Sequence, residues 1–178
     1  MKHLQKLAAA CMALLVLAPA AAAQDLGSLL TAPERTGYRE TTRYAEVVRF
    51  METVDASSPL IHLTTMGYTT EGRALPMAVV GHVPDASPQS VRQSGRTVVY
   101  IQGNIHGGEV EGKEVLLMLL REIARGQRTE LLDSLVLLIA PIFNADGNER
   151  VALTNRGAQH GPVGGTGTRA NAQGLNIN

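Results

Sequence analysis

Thr97-Val-Val-Tyr-Ile-Gln102 leads through Gly103-Asn-Ile-His-Gly-Gly108 into a long segment from Glu109 to Arg125, and Leu135-Val-Leu-Leu-Ile-Ala-Pro-Ile142 follows. The first and last of these pieces are short, nearly continuous apolar runs, as expected of strands buried on both faces. Between them Val115, Leu116, Leu119, Leu120 and Ile123 fall on one broad helical face. Gly126 stands where a helix closes on a left-handed residue. Strand, glycine-rich turn, helix and strand at these lengths make a βαβ unit. The unit predicts an α/β fold with a parallel sheet under helical cover.

Upstream, Tyr44, Val47, Val48, Phe50 and Met51 recur at helical spacing within Thr42 to about Val54, and Asp55-Ala-Ser-Ser-Pro59 supplies breakers. Leu60 to Met66 and Leu75 to Val83 read as strands around a turn, Gly67-Tyr-Thr-Thr-Glu-Gly-Arg73. Gln24 to about Glu40 reads as an irregular lead-in, and Pro84 to Gly95 as a polar loop. From Asn144 onward the chain turns polar and glycine-rich, with no convincing helix or strand. Long stretches of that kind are uncommon in compact domains and are often functional.

The composition narrows the function classes. Formal net charge is zero, with 16 basic and 16 acidic residues, and aromatic residues are only 3% of the chain. No basic surface or base-stacking platform therefore points to nucleic acid. Lys2 and Lys6 precede an apolar run from Leu7 to about Pro19, and Ala21-Ala-Ala23 supplies small residues at a cleavage position. Residues 1–23 thus read as a secretory signal, too short for a comfortable membrane span, with export to the periplasm or outside the cell. Without Lys2 and Lys6 the 16 basic residues become 14 against 16 acidic ones. Cys11, the only cysteine, lies inside that leader. Any metal site in residues 24–178 must then use His and carboxylates.

His106 and Glu109 are the main chemical candidates, because they stand where a buried strand gives way to a helix. Ligands of open α/β sheets bind at the carboxyl ends of the strands. A His and a carboxylate three residues apart across such a turn can converge on one point, as part of a Zn²⁺ ligand set. A polar turn that merely caps the helix has the same spacing. His62, His82 and His160 read as structural or surface residues, and Glu111 and Glu114 as solvated. Lys113 reads as a residue that pairs with a neighbouring carboxylate at little gain. Gly165-Thr-Gly-Thr-Arg-Ala170 fits a dinucleotide-binding pattern, but no strand leads into it.

Tyr100-Ile-Gln-Gly-Asn-Ile-His-Gly-Gly-Glu-Val-Glu-Gly112 resembles the first zinc-ligand motif of the carboxypeptidase A-like metallocarboxypeptidases, peptidase family M14. Three further segments resemble that family in its order: Gly67 to Arg73, with Thr69 replacing a Ser; Pro141 to Gly147, with Ala145 replacing a Pro; and Thr168 to Asn178. The resemblance implies a mixed, largely parallel sheet with helices on both faces, and residues 24–178 as the N-terminal part of a catalytic domain. It implies a secreted zinc hydrolase acting on peptide or protein C-termini. His106 and Glu109 then become zinc ligands, and Arg169 stabilises the oxyanion and binds substrate. Asn178 becomes half of an Asn-Arg pair that holds the substrate's terminal carboxylate. Asn176 stands where the family has an Asp behind the first zinc His. The family's third ligand, a His, and its Glu base are expected after position 178, so the 178 residues alone are expected to be inactive. The alternatives are a zinc amidohydrolase of the related deacylase group and a binding-only relative without metal.

Overall fold

The computed structural model describes residues 26–178, so the leader reading of residues 1–23 lies outside the described residues. Five helices and four strands follow one another as α1 (Ala32–Thr36), α2 (Tyr44–Ser57), β1 (Ile61–Tyr68), β2 (Ala74–Val80), α3 (Pro88–Gln93), β3 (Thr97–Gln102), α4 (Glu111–Ala124), β4 (Leu135–Ala140) and α5 (Ala145–Glu149). A 3-10 turn, Thr129–Asp133, precedes β4. The sheet order is β1-β2-β4-β3. β1 and β2 pair antiparallel, as do β2 and β4, while β3 and β4 run parallel from Thr97↔Leu135 to Gln102↔Ala140. The sheet is mixed, and among the described strands its parallel character is confined to the predicted βαβ unit.

Alternation along the strands places side chains in two cores. Ala78, Val80, Leu137 and Ile139 face α2 and α4, whose Val47, Phe50, Met51, Val54, Leu117, Leu120 and Ile123 complete the larger cluster. Val79 and Val136 face the other way, onto Val83 and onto Val91 of α3. Helices therefore cover both faces. Burying each Leu or Ile of α4 contributes about 1.5–3 kcal/mol relative to leaving it in water.

Several expectations are corrected. β3 is an outer strand of the described sheet and is not buried on both faces: Val98 and Tyr100 are 45% and 46% exposed. On α4, Val115 points to solvent, and Leu117, one residue past Leu116, is fully buried in its place. α2 continues through Asp55 and Ser57, because those side chains are occupied elsewhere. Asp55 accepts a hydrogen bond from the Leu63 backbone at 3.0 Å, and Ser57 donates to the Thr53 carbonyl at 2.6 Å. The lead-in contains α1, started by Thr31 with Glu34 reciprocating, and the polar loop contains α3, where Ser87 accepts from the Ser90 backbone at 3.1 Å. α5 and an isolated bridge between Ala152 and Thr166 occupy the stretch read as unstructured after Asn144.

The parallel pair is what positions the chemistry. β3 and β4 end at the same level, so the turns that follow them lie side by side. Gly103 donates to Ala140 O at 2.9 Å, Phe143 to Gly103 O at 3.1 Å, and Asn144 to Asn104 O at 3.0 Å. No described helix is long and apolar enough to cross a membrane.

Candidate metal centre

The turn Gly103 to Glu109 is held by Asn104. Its backbone is left-handed at φ 58°, a conformation Asn tolerates better than most residues. From there its amide nitrogen reaches the carbonyls of His106, Gly107 and Glu109 at 3.3, 3.1 and 3.0 Å. Tying three carbonyls inward forces the side chains of His106 and Glu109 onto one side of the turn. A Cβ on Gly107 would collide with the backbone of Gly147 and Asn148, and one on Gly167 with Gly107 and Gly147. These three backbone segments pack directly on one another, which only glycine permits.

His106 Nδ1 stands 2.9 Å from Glu109 Oε1, and His106 Nε2 stands 3.0 Å from Asn176 Oδ1. The Asn178 backbone N–H donates to the same Asn176 oxygen at 3.2 Å, which fixes that atom as an acceptor. Nε2 must then carry a hydrogen and donate it, so Nδ1 is the atom turned toward the Glu109 carboxylate. Two electron-pair donors facing each other at that distance require a proton or a cation between them. A neutral imidazole nitrogen and a carboxylate oxygen are donors that Zn²⁺ takes, and an outer acceptor on the far nitrogen is how such a ring is oriented. The residues present therefore fit a zinc ion as part of its ligand set. Among the described residues no group of three or more His, Cys, Asp or Glu is placed to hold a metal.

The His106 side chain is 5% exposed and that of Glu109 39%, so the pair opens to solvent through the carboxylate. Partial burial pushes the Glu109 carboxyl up, but the facing His106 ring and the nearby Arg156 outweigh it and hold the group below its ordinary value. Arg156 Nη2 lies 3.4 Å from Glu109 Oε1.

The four sequence segments meet around α5. Asp146 accepts from Thr69 Oγ1 at 2.7 Å, from the Glu71 backbone at 3.2 Å and from Arg73 at 2.6 Å. Burial pushes the Asp146 carboxyl up, yet these donors more than offset it and keep it low. Asn144 caps α5 by accepting from Gly147 at 2.9 Å and donates to the carbonyls of Arg169 and Ala170, both at 3.3 Å. The backbone of Arg169 is thus anchored while its side chain is exposed, and its guanidinium makes no hydrogen bond or ion pair among the described residues. It borders an open cleft of about 480 Å³ with Asn155, Arg156 and Gln159. Asn178 is exposed at the end of the described chain, beside Asn176.

One expectation about α4 is overturned and a second is corrected. Glu114 is not solvated: it is buried and accepts from Thr41 Oγ1, the Thr42 backbone and Thr42 Oγ1 at 2.7, 2.8 and 2.6 Å. Lys113 does pair with a neighbouring carboxylate, Glu114, but it is fully buried where a weak exposed pair was expected. Its Nζ donates to Thr42 O at 2.5 Å and Asn148 Oδ1 at 2.6 Å, 3.8 Å from Glu114. Burial lowers its pKa to about 8. His62 is structural, with Nε2 2.8 Å from Val83 O, and His82, His160 and Glu111 are exposed, as expected. Asn104 and Arg156 were not singled out from the sequence. A Gly-Asn step at a strand end is a signal for the first, and a lone Arg in a glycine-rich loop gives none for the second.

The zinc carboxypeptidase family model, Peptidase M14, matches residues 47–178. Rat carboxypeptidase D (Rattus norvegicus) is 31% identical over 145 residues, which cover 72% of this chain and 10% of that protein. Its human counterpart (Homo sapiens) is 32% identical over 139 residues, 67% of this chain and 10% of that protein. In structure the chain resembles a metallo-carboxypeptidase from Burkholderia cenocepacia, with TM-score 0.53, 23% identity, and coverage of 76% of this chain and 32% of the other. It also resembles carboxypeptidase A from Helicoverpa armigera, with TM-score 0.51, 18% identity, and coverage of 59% and 25%. The chain therefore spans about a tenth of the length of these curated relatives and about a third or less of the solved ones.

Proposed function

The chain belongs to the zinc carboxypeptidase family, and from that premise we propose that His106 and Glu109 ligate a catalytic Zn²⁺ in an enzyme that hydrolyses C-terminal peptide bonds. Family membership supports a peptidase-type enzyme of the metallocarboxypeptidase kind. The observation that carries the finer reading is the 2.9 Å approach of His106 Nδ1 to Glu109 Oε1, with Asn176 holding the ring from behind. A bound Zn²⁺ would supply an acidified water and an electrophilic centre for the scissile carbonyl.

The other roles fall to the chain's own residues. Asn176 keeps the His106 tautomer, though as a neutral acceptor it raises ligand basicity less than a carboxylate would. Arg169, exposed on an anchored backbone and without an ion-pair partner among the described residues, would stabilise negative charge developing on the carbonyl oxygen. Asn178 would hold the terminal carboxylate of the peptide or protein substrate. Catalytic zinc normally takes three protein ligands, so His106 and Glu109 are part of the set. Residues 24–178 are proposed as part of the catalytic domain, and residues 1–23 as an export signal to the periplasm or outside the cell.

Zinc analysis tests the assignment. The purified protein should retain zinc through gel filtration, and His106→Ala should lose it. Equal zinc in both would remove His106 from the site.

A further inference from the structure

The loop 155–162 separates two clefts of opposite charge. On the α4 side lies a cleft of about 430 Å³ bordered by Tyr38, Glu40, Glu111, Glu114, Val115 and His160, among others, with no Lys or Arg in its wall. On the other side, the cleft of about 480 Å³ beside the metal turn has Arg156 and Arg169 in its wall and no carboxylate. Gln159 borders both.

Arg156 reaches its place by lying across Gly108. A Cβ on that glycine would collide with Arg156 Cδ, and Gly167 O would stand 2.7 Å from it. Gln159 Nε2 donates to Gly108 O at 3.2 Å, so the loop is fastened to the turn beside the arginine's stem. The guanidinium offers five N–H donors. Among the described residues its one polar contact is the 3.4 Å approach to Glu109, and the side chain is 28% exposed. The proposed reaction already claims Arg169 for the oxyanion and Asn178 for the terminal carboxylate. Arg156 is a second fixed cation at the same cleft, with most of its hydrogen-bonding capacity unspent. A wall with two guanidiniums and no acid favours a further negative group on whatever enters. A planar fork suits a carboxylate, which can take two parallel N–H donors.

We infer that Arg156 is a specificity-determining residue that binds a second carboxylate on the substrate, an acidic side chain close to the peptide's C-terminus. This rests on the reading of the site as a peptidase centre, and the experiment separates the two. Two peptides of equal size, N-acetyl-Glu-Ala and N-acetyl-Gln-Ala, are titrated calorimetrically into the 178-residue chain, with zinc and again with a chelator. A charge-assisted hydrogen bond to a carboxylate gives roughly tenfold preference for the acidic peptide. Arg156→Gln should bring the ratio to about one, and Arg156→Lys should restore part of it, because charge returns without the fork. A ratio unchanged in Arg156→Gln, with both peptides weakened alike, would show that Arg156 only props Glu109 and would overturn the inference. So would failure of the unsubstituted chain to bind either peptide. Failure of the zinc reading shows elsewhere, as equal zinc in His106→Ala and the parent, while the peptide ratio in chelator still decides for or against Arg156.

Discussion

His106–Glu109 and Lys113–Glu114 occupy successive turns of one segment, and each pairs a nitrogen base with a carboxylate, yet their surroundings differ completely. In the first pair the partners touch at 2.9 Å, the carboxylate is 39% exposed, and what joins them is a single hydrogen bond whose proton a cation can replace. In the second the side chains are 0% and 7% exposed, 3.8 Å apart, and each end is satisfied by Thr41, Thr42 or Asn148. An open, unsaturated pair has capacity for a ligand. A closed, saturated one has none, and instead fastens α4 to the start of α2 and to α5, the helix that supports the metal turn. The difference that decides capacity is hydrogen-bond saturation.

The comparison breaks or sharpens at four points. The largest effect is expected at the open pair. His106→Ala should abolish zinc retention, since a principal ligand is gone, yet reduce folding stability less than the loss of Glu114. Zinc titration and urea denaturation of the same variant measure both. Next comes the closed pair: Glu114→Ala orphans three donors and leaves the Lys113 charge buried without its carboxylate. It should cost about 3–5 kcal/mol in urea denaturation. A loss below about 1 kcal/mol would mean the cluster is not the floor of the site.

A smaller effect is expected from pH. Lys113 titrates at about 8 in the folded chain against its ordinary 10.5. Between those values the unfolded chain still binds the proton that the folded chain has released, so this group makes stability rise with pH across that window. The gain is on the order of 1–3 kcal/mol, read as the slope of urea stability against pH, and Lys113→Met should flatten it. The smallest effect belongs to Glu111→Gln. Glu111 sits on the same first turn of α4 but is exposed, so its stability change should stay within about 0.5 kcal/mol.

Much of this arrangement was legible in the sequence, for reasons that particular residues make clear. The apolar runs at 97–102 and 135–142 and the 3.6-residue pattern between them mark strand, helix and strand, so the βαβ unit and the position of His106 and Glu109 at its mouth followed. The segments around Thr69, Asn144 and Arg169 were quoted from a resemblance, and they meet at α5 through Asp146 and Asn144. What did not follow is what depends on partners distant in sequence. Val98 and Tyr100 read as core because an outer strand and an inner one can share an apolar run; only the order β1-β2-β4-β3 leaves them outside. Glu114 read as solvated, and Lys113 as a weakly paired residue, because their partners lie some seventy residues upstream, at Thr41 and Thr42. The helices at Ala32–Thr36 and Pro88–Gln93 are too short for periodicity to show and are declared only by their caps and prolines. Arg156 reaches Glu109 because Gly108 has no side chain, a packing fact that spacing does not encode.

The central claim is that His106 and Glu109 share one zinc ion. Crystals of the zinc-treated protein, measured on both sides of the zinc absorption edge, address it directly. The account predicts an anomalous peak between His106 Nδ1 and the Glu109 carboxylate, within bonding distance of both, with Asn176 still on Nε2. A zinc peak elsewhere, or a direct His106–Glu109 contact that persists in zinc-saturated crystals, would contradict it.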